Sequence, residues 1–246
     1  MGARATVSSA KQKVYKIFYF IHLMLRVSLI GAGDIKFHYF DLLKIPEDKF
    51  YKQVEEIAKA LKEAEVELVL LPDRGISFEV AKKYKEFGGR KVYGTVPLSD
   101  KDFGIAHLKP YIDAKIHGKK IFDEIIDTQN WYKQDLTHCI YGDIVLMLGN
   151  SLGSLGELVY GYYLYKLFLG DKPEVKTKKK AIHSEVRAGK KIPFSVIVYE
   201  PFLKEKLNYE IEAYIQKLKG EIYYVKSAAE IKRTIEKISS SGKYSQ

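Results

Sequence analysis

The chain has 246 residues, 46% of them hydrophobic, which is enough to build a sizeable core within one domain. Its apolar runs stop short of the about eighteen residues that a membrane-spanning helix needs, and the best of them, Ile17 to Leu25, is interrupted by His22. A single cysteine, Cys139, excludes an internal disulfide, the absence of CxxC and HxxxH spacings predicts no metal site and no cofactor, and the net charge of +10 sits at the two ends of the chain.

Residues 1–26 carry five basic and no acidic side chains. Lys11, Lys13 and Lys16 precede the apolar IFYFIHLML, as at the start of a secretory signal, but no small-residue cleavage site follows and the chain runs directly into LRVSLIGAGD. Residues 1–24 are therefore expected to be an N-terminal extension, or the product of a start misassigned from Met24, ahead of one domain spanning 25–240. A cytoplasmic, soluble protein follows from this reading. The Lys-, Glu-, Ile- and Tyr-rich composition resembles that of thermophile proteins.

From Leu25 onward, strand-like and helix-like segments alternate. RVSLIGAG is an apolar run with a glycine exit. KFYKQVEEIAKALKEA places Phe50, Val54, Ile57, Ala58 and Leu61 on one helical face. VELVLLP predicts a second strand stopped by Pro72, ISFEVAKKYKEFGG a helix closed by Gly88 and Gly89, and RKVYGTVP a third strand. KIFDEIIDT and NWYKQDLTHCIYG then lead into the strand DIVLML, the glycine-rich GNSLGSLGE and an apolar helix, ELVYGYYLYKLFL. The connection 171–191 follows, with eight basic and two acidic residues between Lys172 and Lys191. It lacks interleaved aromatic residues, so a solvated linker is expected there and nucleic acid is not an expected partner. PFSVIVYEP, LNYEIEAYIQKLKG, EIYYVKS and AAEIKRTIEKI complete the alternation, and 241–246 is expected to be a disordered tail.

Continuous apolar strands separated by amphipathic helices predict a doubly wound α/β fold: a mostly parallel, Rossmann-like sheet with helices on both faces. In such sheets ligands bind beyond the carboxyl ends of the strands. The loops GAGD, PDRG and GNSLGSLGE should therefore converge on one crevice. Glycine lets backbone amides approach a phosphate, and a helix beginning near Ser154 would add its positive end. No complete GxGxxG or GxxxxGK[ST] fingerprint occurs.

The order of these motifs resembles a known family. GDIVLML, Gly142 to Leu148, matches the strand that precedes a PGGxGTxxE signature. Gly153-Ser154-Leu155-Gly156-Glu157 matches GTxxE, and Gly149-Asn150-Ser151 stands where PGG would be. Upstream, Gly75 to Ala81 and Gly88 to Pro97 are similar to GLMGAVA and GGxVIGVxP, and PFSVIVYEPF resembles the C-terminal pattern. From Arg26 to Ile238 the chain thus resembles the LOG (“Lonely Guy”) phosphoribohydrolases, often described as possible lysine decarboxylases, and the wider SLOG group of nucleotide-binding Rossmann-like proteins. The resemblance implies a nucleotide-type ligand, a homodimer, and Glu157 as the catalytic carboxylate.

The departures fall on the chemistry. The family's MxxRK segment supplies an arginine that works with the signature glutamate, and here Gln134 takes its place, with Lys133 alongside. Leu70-Leu71-Pro72 replaces a triple glycine, and Arg74 is the nearest cation to reclaim a phosphate contact. Gly31, Gly33, Asp34, Arg74, Gly75, Lys133, Gln134, Asn150, Ser151, Gly153 and Ser154 are the expected ligand-binding residues. Each has a plainer alternative: Asp34 as a helix cap, and Ser154 with Glu157 as a Ser-x-x-Glu capping box. His138 is expected on a helix surface, and Cys139 as a buried small hydrophobe. The tyrosines of VYGYYLYKLF are expected to be buried on two sides, against the sheet and a second subunit. The expected function is nucleotide binding without the standard hydrolase activity. The alternative is a phosphoribohydrolase that cleaves the N-glycosidic bond of a nucleoside 5′-monophosphate.

Overall fold

A computed structural model describes residues 24–169, 187 and 192–241. The expectations for residues 1–23, for most of the basic connection and for the tail beyond Ser241 lie outside the described residues. Seven strands form one sheet: β1 (Arg26–Ile30), β2 (Glu67–Leu70), β3 (Val92–Val96), β4 (Glu124–Asp127), β5 (Ile144–Met147), β6 (Ser195–Tyr199) and β7 (Glu221–Val225). Their order is β4-β3-β2-β1-β5-β6-β7, and every pairing is parallel. Of the runs predicted as strands, β3, β5 and β6 have no exposed residue and are buried on both faces, whereas β7, at the edge of the sheet, has Glu221 exposed and only Val225 buried.

The helices divide between the two faces. α1 (Glu47–Glu63), α2 (Ile76–Glu86) and α6 (Ala228–Ser241) cover one face, where Phe50, Ile57, Leu61, Val80, Ile231 and Ile235 meet Val27, Leu29, Leu68 and Ile197. α3 (Trp131–Thr137), α4 (Leu152–Leu169) and α5 (Tyr209–Lys217) lie on the other, where Leu158, Ile215 and Phe194 pack with Ile30, Val145, Met147 and Val198. Strand order reverses between β1 and β5, so the loops leaving these two strands part in opposite directions. That divergence opens a gap beyond their carboxyl ends.

Three features depart from the sequence expectations. β4 is an edge strand within KIFDEIIDT, with Glu124 and Ile125 exposed and only Ile126 buried, so it lacks the continuous apolar run of the central strands. A two-stranded ribbon, Lys115–Ile116 with Lys119–Lys120, turns through His117 and Gly118, both at positive φ, as a tight two-residue hairpin requires. α4 begins at Leu152, two residues ahead of Ser154, near which a start was expected. No helix among the described residues is long and apolar enough to cross a membrane.

At the opposite pole, Arg187 anchors one point of the basic connection. Its Nη2 lies 3.0 Å from Asp143 Oδ2, its Nε donates to Asp143 Oδ1 at 3.4 Å, and its backbone N–H donates to Ile140 O at 2.9 Å. Asp143 also accepts from Arg26 N at 2.8 Å, so this carboxylate holds the start of β1 and the incoming connection together.

Candidate functional site

The switch point holds a crevice of about 220 Å³ lined by all three glycine loops. Gly31 and Gly33 come from the loop after β1, Arg74 and Gly75 from the loop after β2, and Ser151, Gly153, Ser154 and Glu157 from the start of α4. The structure thus brings eight of the twelve expected residues to one place. Arg74 and Gly33 are exposed there and within reach of a ligand.

Two of the glycines serve the meeting of loops more than the approach of a ligand. Gly75 has φ of 125°, and a Cβ built on it would lie 2.7 Å from Ala32 O. A Cβ on Gly31 would lie 2.4 Å from Ile76 Cγ2. Any side chain at either position would drive the first two loops apart. The loops after β1 and β5 are joined by Tyr39, whose hydroxyl donates to Leu148 O at 2.7 Å and accepts from Ala32 N at 3.2 Å. Tyr39 sits in a π-helical turn, Lys36–Leu42.

The head of α4 is capped by two serines. Ser151 Oγ accepts from Ser154 N at 3.2 Å, and Ser154 Oγ accepts in return from Ser151 N at 2.9 Å. Ser154 Oγ also donates to Gly149 O at 2.8 Å. This reciprocal pattern is a capping box in which Ser151 is the N-cap and Ser154 takes the place of the usual glutamate. The Ser154-x-x-Glu157 box expected from sequence is therefore displaced by three residues. Glu157 lies in the second turn and is released from the cap. The amides of Leu152 and Gly153, at the first two helical positions, have no intrahelical acceptor and face an exposed rim.

Glu157 is partly buried and makes no hydrogen bond or ion pair among the described residues. Desolvation, with a smaller contribution from the charge of Asp135, raises its pKa to about 8. Asp135 lies on α3 at the rim of the same crevice, and loss of water around its carboxylate raises its pKa as well. The residue is exposed, so solvent screens its effect on Glu157 and burial of Glu157 dominates.

Gln134 faces elsewhere. It is fully buried, and its Oε1 accepts from Thr128 Oγ1 at 2.9 Å while its Nε2 donates to Thr95 Oγ1 at 2.8 Å. Thr95 Oγ1 lies 3.0 Å from His138 Nδ1, and His138 Nε2 lies 3.1 Å from Leu29 O. The Leu29 carbonyl can only accept, so Nε2 carries the hydrogen, and Nδ1 of the neutral ring accepts the proton of the Thr95 hydroxyl. His138 is thus a buried neutral imidazole with both nitrogens engaged, not the helix-surface residue expected. Burial lowers its pKa to about 4. It forms part of the crevice wall and has no free nitrogen to act as a base.

The remaining expected residues lie outside the crevice lining. Asp34 Oδ1 accepts from Phe37 N at 3.0 Å and caps the π-helical turn. Lys133 Nζ donates to Gln129 Oε1 at 2.6 Å. Asn150 is exposed beside the loop. Asp135, Asp73 and Ser77 line the crevice and were not anticipated. Asp135 could have been found from the MxxRK alignment by asking which way one helical turn points, since adjacent helical residues face about 100° apart. Cys139 is buried as expected.

Sheet order, switch-point crevice and looped lining together define a Rossmann-like α/β protein. Comparison with protein-family models and with curated proteins gives no match. Among solved structures, the chain is similar to the Moco carrier protein from Chlamydomonas reinhardtii, with a TM-score of 0.52 and 14% identity over 89% of this chain and 99% of that one. The molybdenum cofactor binding protein from the phototrophic bacterium Rippkaea orientalis is similar too, at a TM-score of 0.52 and 14% identity over 87% of this chain and 97% of that one. At this identity the likeness is one of fold.

Proposed function

We propose that the protein is a cytoplasmic, homodimeric binder of a nucleotide or nucleotide-derived ligand, held by its phosphate in the switch-point crevice and not hydrolysed. The observation that carries this reading is the convergence of three glycine loops, the uncapped amides of Leu152 and Gly153, and the exposed guanidinium of Arg74. The crevice volume of about 220 Å³ lies below the roughly 300–1,000 Å³ of sites that enclose a drug-sized ligand. Its described lining contains no phenylalanine, tyrosine or tryptophan. A phosphate and the group attached to it fit, and a base would project outward.

The same features bear on the two fold relatives described as carrying or binding the molybdenum cofactor. The residues present suit a phosphate, and the exposed guanidinium of Arg74 is a planar group able to stack on a ring, so a phosphorylated pterin belongs in a ligand screen as one candidate. Hydrolysis needs a cation on the phosphate and a group acting at the glycosidic bond, and loss of an interaction made only in the transition state commonly costs two or more powers of ten in rate. Here the arginine position is held by Gln134, consumed in a buried network, and its neighbour at the crevice is the carboxylate of Asp135.

A second reading rests on Glu157. A partly buried, unpartnered carboxyl with a pKa of about 8 is mostly protonated at neutral pH and has the form of a general acid. A thermal-shift screen of nucleoside mono-, di- and triphosphates and a pterin phosphate, followed by assay for free base, separates the readings. Binding without base release is expected. Turnover that Glu157→Ala abolishes establishes the hydrolase instead, and no stabilisation by any of these compounds overturns both.

A further inference from the structure

The crevice that suits an anion also contains a carboxyl group with nothing to neutralise it. Glu157 has no hydrogen-bond or ion-pair partner among the described residues, although Arg74 lines the same crevice. From α3 comes Asp135, a like charge, and from the turn that follows come His138, locked neutral between Thr95 and Leu29, and Cys139, a buried thiol held protonated by desolvation and by Glu157 itself. The loop after β2 offers Arg74 and Asp73, whose Oδ1 accepts from Arg74 N at 2.7 Å. The loop after β1 carries Asp34, exposed and outside the crevice lining, the turn that follows carries His38, a buried imidazole held neutral by desolvation and also outside the lining, and the serine cap of α4 brings no ionisable group.

We propose that Glu157 is the proton-holding group of this site, so that a phosphate ligand enters the crevice together with a proton on the Glu157 carboxyl. The inference rests on the crevice being a phosphate site. A dianionic phosphate seated at the head of α4 stands about one helical turn from Glu157 and raises the cost of ionising it. Ionisation of the empty site begins to compete as pH passes about 8, the value to which burial has already lifted the group. Below that pH the proton is present before the ligand arrives. Above it, binding must draw a proton from solvent, and affinity falls as pH rises. Asp135, exposed at the rim, adds a screened repulsion that moves the transition without creating it.

The proposal is tested by calorimetric titration of the full chain with AMP between pH 6.5 and 9.5, in two buffers of different ionisation enthalpy. The second ionisation of a phosphate monoester, near pH 6, lies below this window. The wild type should bind with constant affinity up to about pH 7.5. Above about pH 8 it should lose affinity by up to tenfold per unit, with proton uptake approaching one per ligand. Glu157→Gln, permanently neutral, should bind with a flat profile and exceed the wild type several-fold at pH 9, a gain that disruption of the fold does not produce. Asp135→Asn should keep the fall in affinity but begin it at lower pH.

A pH-independent affinity in the wild type overturns the proposal and leaves the phosphate site standing. An unchanged fall in Glu157→Gln does the same. Proton release in place of uptake, with Mg²⁺ strengthening AMP binding to the wild type but not to Glu157→Gln, overturns it in favour of a carboxylate that holds a metal. Failure of AMP to bind either protein at any pH removes the phosphate site itself.

Discussion

At the scale of residues, Gln134 and Glu157 exchange the roles that their neighbours in sequence suggest. Gln134 is the middle of a directed chain, Thr128 to Gln134 to Thr95 to His138 to the Leu29 carbonyl, that spans β4, α3, β3 and β1. Replacement by Leu leaves the Thr128 hydroxyl without its acceptor and Thr95 with His138 alone in a buried site, at about 1–3 kcal/mol for each group that stays unsatisfied. For a domain of this size that lowers Tm by about 2–4 °C per kcal/mol, and differential scanning calorimetry should show the loss without a change in native secondary structure. Glu157 carries the opposite liability. Its pKa is raised in the folded state, so the unfolded chain releases that proton at lower pH. Stability contributed by the neutral carboxyl is complete below the ordinary glutamate pKa and is lost as pH rises toward about 8. Glu157→Gln should therefore match the wild type in urea denaturation at pH 4.5 and exceed it at pH 9. A constant difference across pH would mean that the carboxyl is free to ionise. Burial of Gln134 was not legible in the sequence, because a helix of seven residues, Trp131–Thr137, offers too few turns to show which face points inward.

At the scale of elements, strands with long apolar runs were legible and irregular joints were not. RVSLI, DIVLM and SVIVY are buried wherever the sheet places them, so their pattern alone marks them as interior strands. β4 escaped because an edge strand needs only one buried residue, Ile126. The serine cap escaped because both Ser151 and Ser154 satisfy the N-cap preference, and only the backbone decides between them. The π-helical turn left no periodic signal, yet it delivers the hydroxyl that joins the loops on either side of the switch point. Tyr39→Phe deletes both bonds and leaves Ala32 N and Leu148 O unpaired within the core. The expected cost is about 1–3 kcal/mol for each group left unsatisfied. Because those loops form the crevice, AMP affinity should fall alongside stability. If calorimetry finds Tm reduced and AMP affinity intact, the loops hold their positions without the hydroxyl.

At the scale of the molecule, α4 carries an exposed apolar stripe. Leu152, Val159, Tyr160 and Tyr163 are 92%, 41%, 49% and 53% exposed, and their spacing places them along one side of the helix. The opposite side is spoken for: Leu158 is buried against the sheet, and Tyr162 and Tyr165 pack on Phe194. The sequence expectation of a helix buried on two sides is thus met by the chain itself on one side only. Tyr132 of α3 and Phe103, 6.4 Å apart between ring centroids and both 67% exposed, add further aromatic surface next to it. A two-fold axis across α4 would bring the same tyrosines together from both copies, as a self-complementary interface requires. Tyr160 and Tyr163 are the natural anchors, being large and only half exposed. Analytical ultracentrifugation of the full chain should give a dimer at micromolar concentration, and Tyr160→Asp with Tyr163→Asp should give a folded monomer with an unchanged circular dichroism spectrum. The crevice opens at the amino-terminal end of the same helix, where Ser151 and Gly153 line it on either side of Leu152 in the chain, so the monomeric variant should also report whether AMP affinity needs the second copy. A wild-type chain that sediments as a monomer at every concentration would leave the tyrosines of α4 to a different partner, and would require the crevice to be complete within one chain.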